Sequence, residues 1–200
     1  MVDFIIAEDT RVSGQLLKHL EVSKPLRSCH INNEHRVVES LATQLQEGSS
    51  AALISDAGTP GISDPGFLLI RNCVDRGIEV QCLPGATAFV PALVLSALPA
   101  HRFYFEGFLP HKKGRKTRLD FLSQLSDTFI LYESPHRIAK CLIELSEVCG
   151  GDREACVCRE LTKLHEEVVR GSLSDLIEWA QSKDKIKGEI VVVVGGQSKP

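Results

Sequence analysis

Segment 55–66, with the sequence SDAGTPGISDPG, contains three glycines, two prolines and two aspartates. It follows the apolar run 51–54, a predicted strand, and open α/β sheets bind ligands at the carboxyl ends of their strands. Glycines let a ligand approach the backbone, and prolines stiffen the loop. Asp64 is predicted to cap a helix that begins at Pro65, whose free N–H groups could meet a carboxylate or a phosphate. Twelve residues exceed the needs of a strand-to-helix turn, so we predict a ligand-binding loop.

A second loop, 83–88 (LPGATA), follows the next predicted strand in the same way. Two such loops at neighbouring strand ends are expected to form opposite walls of one crevice, although a plain helix start is the alternative for this loop. The loop 55–66 matches neither common phosphate-loop pattern, because no Lys-Ser/Thr pair follows its glycines and the G-x-G-x-x-G spacing is absent. A nucleoside triphosphate is therefore not the ligand that the sequence favours.

The segment EDTR, residues 8–11, closes the first predicted strand. Glu8 or Asp9 could act as a general base, and Arg11 could hold an anion. In the alternative interpretation, Asp9 or Thr10 caps the helix that follows, or one of the carboxylates orients Arg11.

Residues 111–118 (HKKGRKTR) carry five positive side chains besides the histidine, in a chain whose net charge is −3. An acidic chain is not expected to coat nucleic acid non-specifically, so a nucleic-acid site should be a local patch such as this one. The alternative is a solvated basic helix start. Segment 132–137 (YESPHR), at another strand-to-helix junction, could face the same cleft. Segment 159–163 (RELTK) carries charges of both signs, and an internal ion pair is its simpler explanation.

Short β-branched runs alternate with amphipathic helical patterns, which indicates an α/β protein with a largely parallel sheet. The predicted strands are 2–6, 51–54, 79–82, 103–105, 128–132, 155–158 and 189–194. Helices are predicted from Asn33 to Gly48, from Asp64 to Gly77, over 86–97, from Ser134 to Gly150, and from Ser172 with Asp175 as capping-box partner. The best boundary lies near residues 98–102, which predicts two α/β lobes, 1–98 and 99–200.

The composition excludes several other classes of protein. With 43% hydrophobic and 24% charged residues the chain can bury a core, and the stretch 89–100 holds two prolines and is too short to span a bilayer. The chain has seven cysteines, of which Cys156 and Cys158 should share one face of a strand. The other five are expected to be reduced core side chains: Cys29, Cys73, Cys82, Cys141 and Cys149. No metal-binding spacing and no targeting segment is visible, so we expect a cytoplasmic protein without a metal.

Taken together, seven ordered segments resemble the tetrapyrrole methylase superfamily and, within it, the ribosomal RNA small subunit methyltransferase I family. The resemblance extends from about Phe4 to Gly195. The matching segments are 7–11, 55–66, 83–88, 105–110 with 112–115, 132–137, 159–163 with 165–166, and 188–191.

The resemblance implies S-adenosylmethionine as methyl donor, methylation of the ribose 2′-oxygen of a cytidine in small-subunit (16S) ribosomal RNA, a two-lobed fold with the cofactor in the cleft, and a homodimer. Glu8 and Asp9 are the candidate bases, with Arg11 beside them. The cofactor contacts carried over by position are Asp56, Ala57, Gly58, Thr59, Pro60, Ile62, Ser63, Asp64, Gly85, Ala86, Thr87, Tyr132, Gly188 and Glu189. The residues expected to contact RNA are Lys112, Lys113, Arg115, Arg137, Arg159 and Lys163.

Two departures from the family pattern accompany the resemblance. Family members begin with a further strand and a Gly-Asn-Leu loop upstream of the segment equivalent to Phe4, so the N-terminal lobe is expected to be incomplete at its start. Many also carry a short helical tail beyond the position of Gly195. Two alternative functions stay open on the sequence alone. One is methylation of a tetrapyrrole carbon, and the other is a non-catalytic module that binds S-adenosylmethionine or RNA.

Overall fold

The computed structural model describes residues 2–197, and the chain divides into two compact units between Thr87 and Ala88. The sequence placed this boundary about a helix later, near residues 98–102. The difference is helix α4 (Phe89–Ser96), whose buried residues Ala92 and Leu93 pack in one cluster with Ile130 of the second unit. A strongly apolar helix packs in the unit whose sheet covers it, and the local sequence does not show which of the two units that is.

The N-terminal unit is built on a three-stranded parallel sheet with the order β2-β1-β3. The strands are β1 (Phe4–Ala7), β2 (Leu26–Ser28) and β3 (Ala51–Ile54), and the helices are α1 (Thr10–His19), α2 (Glu34–Gln46) and α3 (Phe67–Asp75). The parallel arrangement predicted from the alternating pattern is confirmed here. The core of this unit is formed by Phe4, Ile6, Cys29, Val38, Leu41, Leu69 and Cys73.

Four local features of this unit differ from the predictions. Residues 79–82 do not form a strand, and Cys82, expected in the core, is exposed. A short segment becomes a strand only where a partner strand pairs with it, so a prediction from the segment alone can be wrong. Strand β2 was missed because it has only three residues, two of them polar. Helix α3 begins at Phe67 with Gly66 as N-cap, not at Asp64 and Pro65.

The C-terminal unit has a mixed five-stranded sheet with the order β4-β5-β8-β6-β7. Its strands are β4 (Phe103–Phe108), β5 (Thr128–Glu133), β6 (Glu154–Arg159), β7 (Glu167–Ser172) and β8 (Ile190–Val194). Among the described residues of this sheet, β4 and β5 pair in parallel, and the other three pairings are antiparallel. The prediction of a largely parallel sheet is therefore wrong for this unit. Residues 160–166 between β6 and β7 are too few for the crossover that a parallel pair requires.

Helices cover both faces of this sheet, which explains why every residue of β8 is buried. On one face lie α5 (Arg115–Ser123), α6 (Ile138–Cys149) and α7 (Leu173–Gln181), and on the other lies α4. The predicted buried side of α6 is confirmed, since Ile138, Cys141, Leu142 and Leu145 are all buried. The capping box of Ser172 and Asp175 is also confirmed, because both of its hydrogen bonds are present.

The cysteines follow the predicted pattern except for Cys82, which is exposed, and Cys149, which is only half-buried. Cys29, Cys73 and Cys141 are buried, and the Sγ atoms of Cys156 and Cys158 lie 3.7 Å apart on one face of β6. Burial raises the pKa of Cys29 to about 11 and that of Cys141 to about 12, so both thiols stay protonated near neutral pH.

Candidate functional site

The carboxyl ends of the three parallel strands in the N-terminal unit lie at one edge of their sheet. This arrangement brings together two segments that the sequence singled out, residues 8–11 after β1 and residues 55–66 after β3. A backbone contact joins them directly, because the N–H group of Asp9 donates to Oδ1 of Asp56 over 3.3 Å. The candidate base and the candidate cofactor loop are therefore neighbours in this unit.

At this edge Asp9 caps helix α1 and also binds Arg11. Its carboxylate accepts from the Arg11 N–H at 2.8 Å and forms an ion pair with the Arg11 guanidinium at 2.6 Å. These bonds hold the pKa of the Asp9 carboxyl well below its usual range. A carboxylate with so low a proton affinity is a poor proton acceptor. The half-buried Glu8 is consequently the better candidate for a base.

The two predicted cofactor loops of this unit touch each other. The Thr59 hydroxyl donates to the carbonyl oxygen of Ala86 at 3.0 Å, which leaves the Thr87 hydroxyl to donate to Thr59 at 3.1 Å. Gly58 has φ of 89°, a backbone conformation that favours glycine, and a Cβ atom there would lie 3.6 Å from the Ala86 oxygen. The predicted crevice walls, residues 55–66 and 83–87, are thus one connected surface of carbonyls and hydroxyls.

Sequence reasoning missed a third group at this edge, residues 30–34 after β2. The His30 N–H donates to the Asn33 side chain at 2.7 Å, and this turn leads into α2 with Glu34 buried. The Glu34 carboxylate accepts from the N–H groups of Gly66 at 2.9 Å and Leu68 at 3.0 Å. Glu34 therefore occupies the N-terminus of α3, which we predicted to be open to a ligand anion. Long-range pairing of this kind leaves no local signal, since 32 residues separate Glu34 from Gly66.

Replacing Glu34 by alanine is expected to lower the free energy of unfolding by about 1.5–3 kcal/mol, because the buried N–H group of Gly66 and the partly buried N–H group of Leu68 lose a charged acceptor. Glutamine keeps the acceptor oxygen without the charge and should lose less. Glu47 is exposed at the C-terminal end of α2, the helix that begins at Glu34, and Glu47→Ala is the control. Urea unfolding measures all three, and equal stability of Glu34→Ala and Glu47→Ala would contradict the assignment.

A second group of polar residues lies at one edge of the C-terminal sheet. The carboxyl ends of β4, β5 and β6 meet the amino end of β8 there, because β8 runs antiparallel to β5 and β6. The register places Phe108 beside Tyr132, and both Glu133 and Arg159 beside Ile190. Four segments predicted from the sequence, 108–115, 132–137, 159–163 and 188–189, are thereby gathered at this edge.

The basic residues at this edge differ in accessibility. Lys112 and Lys113 are exposed, whereas Arg115 is buried and pairs with Glu144 at 2.7 Å and with Glu133 at 3.5 Å. Arg137 pairs with Glu133 at 2.8 Å. Glu133 is fully buried between the two arginines and was not identified from the sequence. Arg115 and Arg137 thus anchor this edge, while the two lysines carry its exposed charge.

Arg159 and Lys163 are likewise held by carboxylates. Arg159 pairs with Glu167 at 3.0 Å, and Lys163 bridges Glu160 at 2.8 Å and Glu189 at 2.9 Å. The ion pair between Glu160 and Lys163 is the alternative that the sequence left open for segment 159–163. It raises the pKa of Lys163 and lowers that of Glu160, so both side chains remain charged near neutral pH.

Gly188 fits closely against this network. Its φ is 95°, and a Cβ atom there would collide with the Glu160 side chain. The Glu189 N–H donates to the Glu160 carboxylate at 2.9 Å. The backbone conformation therefore favours glycine at position 188, and a larger residue there would also have to displace the Glu160 side chain. Within residues 2–197, no group of three or more His, Cys, Asp or Glu residues is placed to hold a metal ion, and no helix is long and apolar enough to cross a bilayer.

The fold and the two polar sheet edges define the class of protein. The structure is similar to the crystal structure of the methyltransferase CobJ, with a TM-score of 0.69 and 19% identity over 98% of this chain and 83% of that chain. It is also similar to the uroporphyrin-III C-methyltransferase of Thermus thermophilus, solved with S-adenosylhomocysteine, with a TM-score of 0.61 and 15% identity over 97% of this chain and 85% of that one. These similarities establish a shared fold.

Sequence comparison then identifies the family. The sequence model of the tetrapyrrole (corrin/porphyrin) methylases matches residues 1–177. A ribosomal RNA small subunit methyltransferase I from Xylella fastidiosa is 48% identical over 197 residues, which cover 98% of this chain and 72% of the relative. Its counterpart from Haemophilus influenzae is 46% identical over 200 residues, covering 99% of this chain and 71% of the relative. The chain belongs to the tetrapyrrole methylases and, within them, to the ribosomal RNA small subunit methyltransferase I family.

Proposed function

We propose that the protein transfers a methyl group from S-adenosylmethionine to ribosomal RNA of the small subunit, at the 2′-oxygen of a cytidine ribose. The observation that carries this proposal is the 46–48% identity, over nearly the whole chain, to relatives named ribosomal RNA small subunit methyltransferase I. The solved structures named above share only 15–19% identity with the chain, which favours RNA over a tetrapyrrole as substrate.

The chemistry of the loops in the N-terminal unit fits the proposed donor. Segments 55–66 and 83–88 contain no lysine or arginine, and they offer the Asp56 carboxylate, the Thr59 and Thr87 hydroxyls and the Ala86 carbonyl oxygen. Such oxygen-rich surroundings favour a positively charged sulfonium, whose activated methyl group is the chemistry that the cofactor supplies. From the resemblance we also propose that Tyr132, Gly188 and Glu189 contact S-adenosylmethionine. Ala57, Gly58, Pro60, Ile62, Ser63, Asp64 and Gly85 complete the proposed set.

The chain's own residues would act mainly by positioning the ribose. Alignment of the attacking oxygen with the methyl group can supply roughly 7–11 kcal/mol of the barrier reduction. Glu8 would accept the proton of the 2′-hydroxyl group, and Asp9 would stay ionised and hold Arg11 at the same edge. This division of roles follows from the hydrogen bonds of Asp9 at the carboxyl end of β1.

We assign contacts with RNA phosphates to the exposed Lys112 and Lys113, with Arg137, Arg159 and Lys163 at the same sheet edge. Arg115, which the sequence also suggested as an RNA contact, is buried against Glu133 and Glu144 and is not assigned to the RNA. Replacing both lysines by alanine should weaken binding to small ribosomal subunits. The slope of the logarithm of the binding constant against the logarithm of the salt concentration should become shallower by about 0.7 for each phosphate that is no longer neutralised. Affinity for S-adenosylmethionine should not change. A matched variant, Lys18→Ala with Lys185→Ala, removes the same charge from other exposed positions. Equal salt slopes for the two double variants would exclude this patch from the interface.

Methyl transfer to small ribosomal subunits that lack ribose methylation tests the proposed function. Incubation with methyl-labelled S-adenosylmethionine, followed by mapping of the label, should place it on one cytidine ribose. Label on a base, or on an added tetrapyrrole precursor instead of RNA, would refute the proposal. We also propose that the reaction takes place in the cytoplasm and that the protein is a homodimer, as the resemblance implies. Light scattering of the purified protein tests the homodimer.

A further inference from the structure

Phe108 presents an exposed aromatic ring at the carboxyl end of β4, where 53% of the residue is accessible. The ring contacts a row of other aromatic rings. Its centroid lies 5.5 Å from that of Tyr132, which in turn lies 5.2 Å from Phe105, and Phe105 lies 4.6 Å from Phe89. Phe89, Phe105 and Tyr132 all pack against the buried cluster under α4. The exposed ring is therefore supported from behind by fixed neighbours.

A bulge in β4 gives Phe108 this orientation. Phe105 pairs with Ile130, Gly107 with Leu131 and Phe108 with Tyr132, so Glu106 is an extra residue without a partner on β5. In a regular strand, residues three apart point to opposite faces, and Phe108 would face away from Phe105. The extra residue, with Gly107 at a φ of 70°, turns Phe108 to the same face. Bulges commonly re-aim a side chain beside a functional site.

Glu106, the extra residue of the bulge, is held by a side chain of α5. The Glu106 carboxylate binds the Arg118 guanidinium, which also donates to the Tyr104 hydroxyl at 2.7 Å. The Arg118 guanidinium lies over the ring of Phe121, 4.7 Å from its centroid. These contacts stabilise the bulge, so the position of Phe108 is built into the packing of β4 and α5.

Two exposed lysines follow the end of this strand along the chain. The exposed Lys112 and Lys113 follow Phe108 by four and five residues. The start of their loop is tied to the sheet, because His111 Nδ1 lies 2.7 Å from the Arg137 guanidinium, which pairs with Glu133. An aromatic face beside lysines is the combination with which proteins bind unstacked nucleotides, by stacking on the base and pairing with the phosphate.

We propose that Phe108 is a binding residue that stacks on a nucleobase of the RNA at this sheet edge. The proposal rests on the proposed function and adds a specific contact to it. A nucleotide whose ribose enters an active site leaves its stacked neighbours, and an aromatic ring replaces the lost stacking. Lys112 and Lys113 would form ion pairs with the RNA phosphates, whereas Phe108 would stack on a base.

Two RNA probes separate these roles: a short oligocytidylate and an abasic oligomer of the same length. Phe108→Ala should weaken binding of oligocytidylate about 5- to 150-fold, which corresponds to about 1–3 kcal/mol for one stacked base, and leave binding of the abasic oligomer unchanged. Phe108→Trp should restore the affinity. The double lysine variant should weaken both probes equally. Phe103→Ala is the matched control, since Phe103 lies at the opposite end of β4 with 43% of its surface exposed.

Each other outcome has a definite meaning. Equal affinities of Phe108→Ala and Phe103→Ala for oligocytidylate would overturn the stacking proposal while leaving the proposed function intact. A loss confined to S-adenosylmethionine, measured by calorimetry, would assign the ring to the donor's adenine and also overturn it. Absence of any RNA binding by the unmodified protein, with either probe and with small subunits, would refute both proposals. Thermal unfolding of each variant shows whether the fold is retained.

Discussion

Replacing Glu8 by glutamine is expected to slow methyl transfer at saturating substrates by about 10²–10⁴-fold, the usual contribution of a general base. Glu8 follows the central strand β1, beside the loop that we assign to the cofactor. Glutamine retains the size of the side chain but cannot accept a proton. The affinities for S-adenosylmethionine and RNA should therefore stay near those of the unmodified protein.

Asp9→Asn is the matched control for Glu8→Gln. Asparagine caps helices as well as aspartate does, so α1 should be retained, and Asp9 is already a poor proton acceptor because of Arg11. Its rate should stay within about tenfold of the unmodified protein, well above the rate of Glu8→Gln. Single-turnover rates with labelled donor measure both variants. If both keep near wild-type rates, neither carboxylate is the base, and if Asp9→Asn is the slower variant the roles are reversed.

Replacing Glu133 by alanine should lower the free energy of unfolding by about 3–5 kcal/mol, the range found when one partner of a buried ion pair is removed. The side chain of Glu133 is fully buried and accepts from the Ser134 N–H at 2.7 Å, and its two arginine partners are 10% and 24% exposed. Without Glu133, Arg137 loses the ion pair described above, and Arg115 keeps its ion pair with Glu144 and its hydrogen bond to the Pro110 carbonyl oxygen. The variant should also loosen the loop that starts at His111 and so weaken RNA binding.

Urea unfolding of Glu133→Ala, compared with Glu147→Ala on the exposed side of α6, measures this effect. The control should change stability by no more than about 0.5 kcal/mol. A double variant, Glu133→Ala with Arg137→Ala, should lose less than the sum of the two single losses, because each single change leaves the other charge unpaired. Additive losses, or a loss as small as that of Glu147→Ala, would contradict a structural role for the pair.

Local sequence predicted those features that depend on a few neighbouring residues. The helical repeat identified the buried face of α6 around Cys141 and Leu142, and the pattern of Ser172 and Asp175 identified a helix start. The density of glycine and proline in residues 55–66 located the candidate cofactor loop after β3. The order of seven motifs was sufficient to indicate the family, which the comparisons confirmed.

Only the tertiary structure decided which residues meet across long separations. Glu34 occupies the start of α3, Arg115 turns away from solvent to Glu133 and Glu144, and β8 enters the C-terminal sheet antiparallel between β5 and β6. The bulge that exposes Phe108 also depends on pairing with β5. The conformational preferences of residues and the spacing of apolar side chains act over a few neighbouring positions. They therefore determine where helices, strands and loops begin. A buried charge needs a partner, and a strand needs a neighbouring strand. Which groups become these partners depends on the residues that the whole fold brings together, so a short segment of sequence cannot predict them.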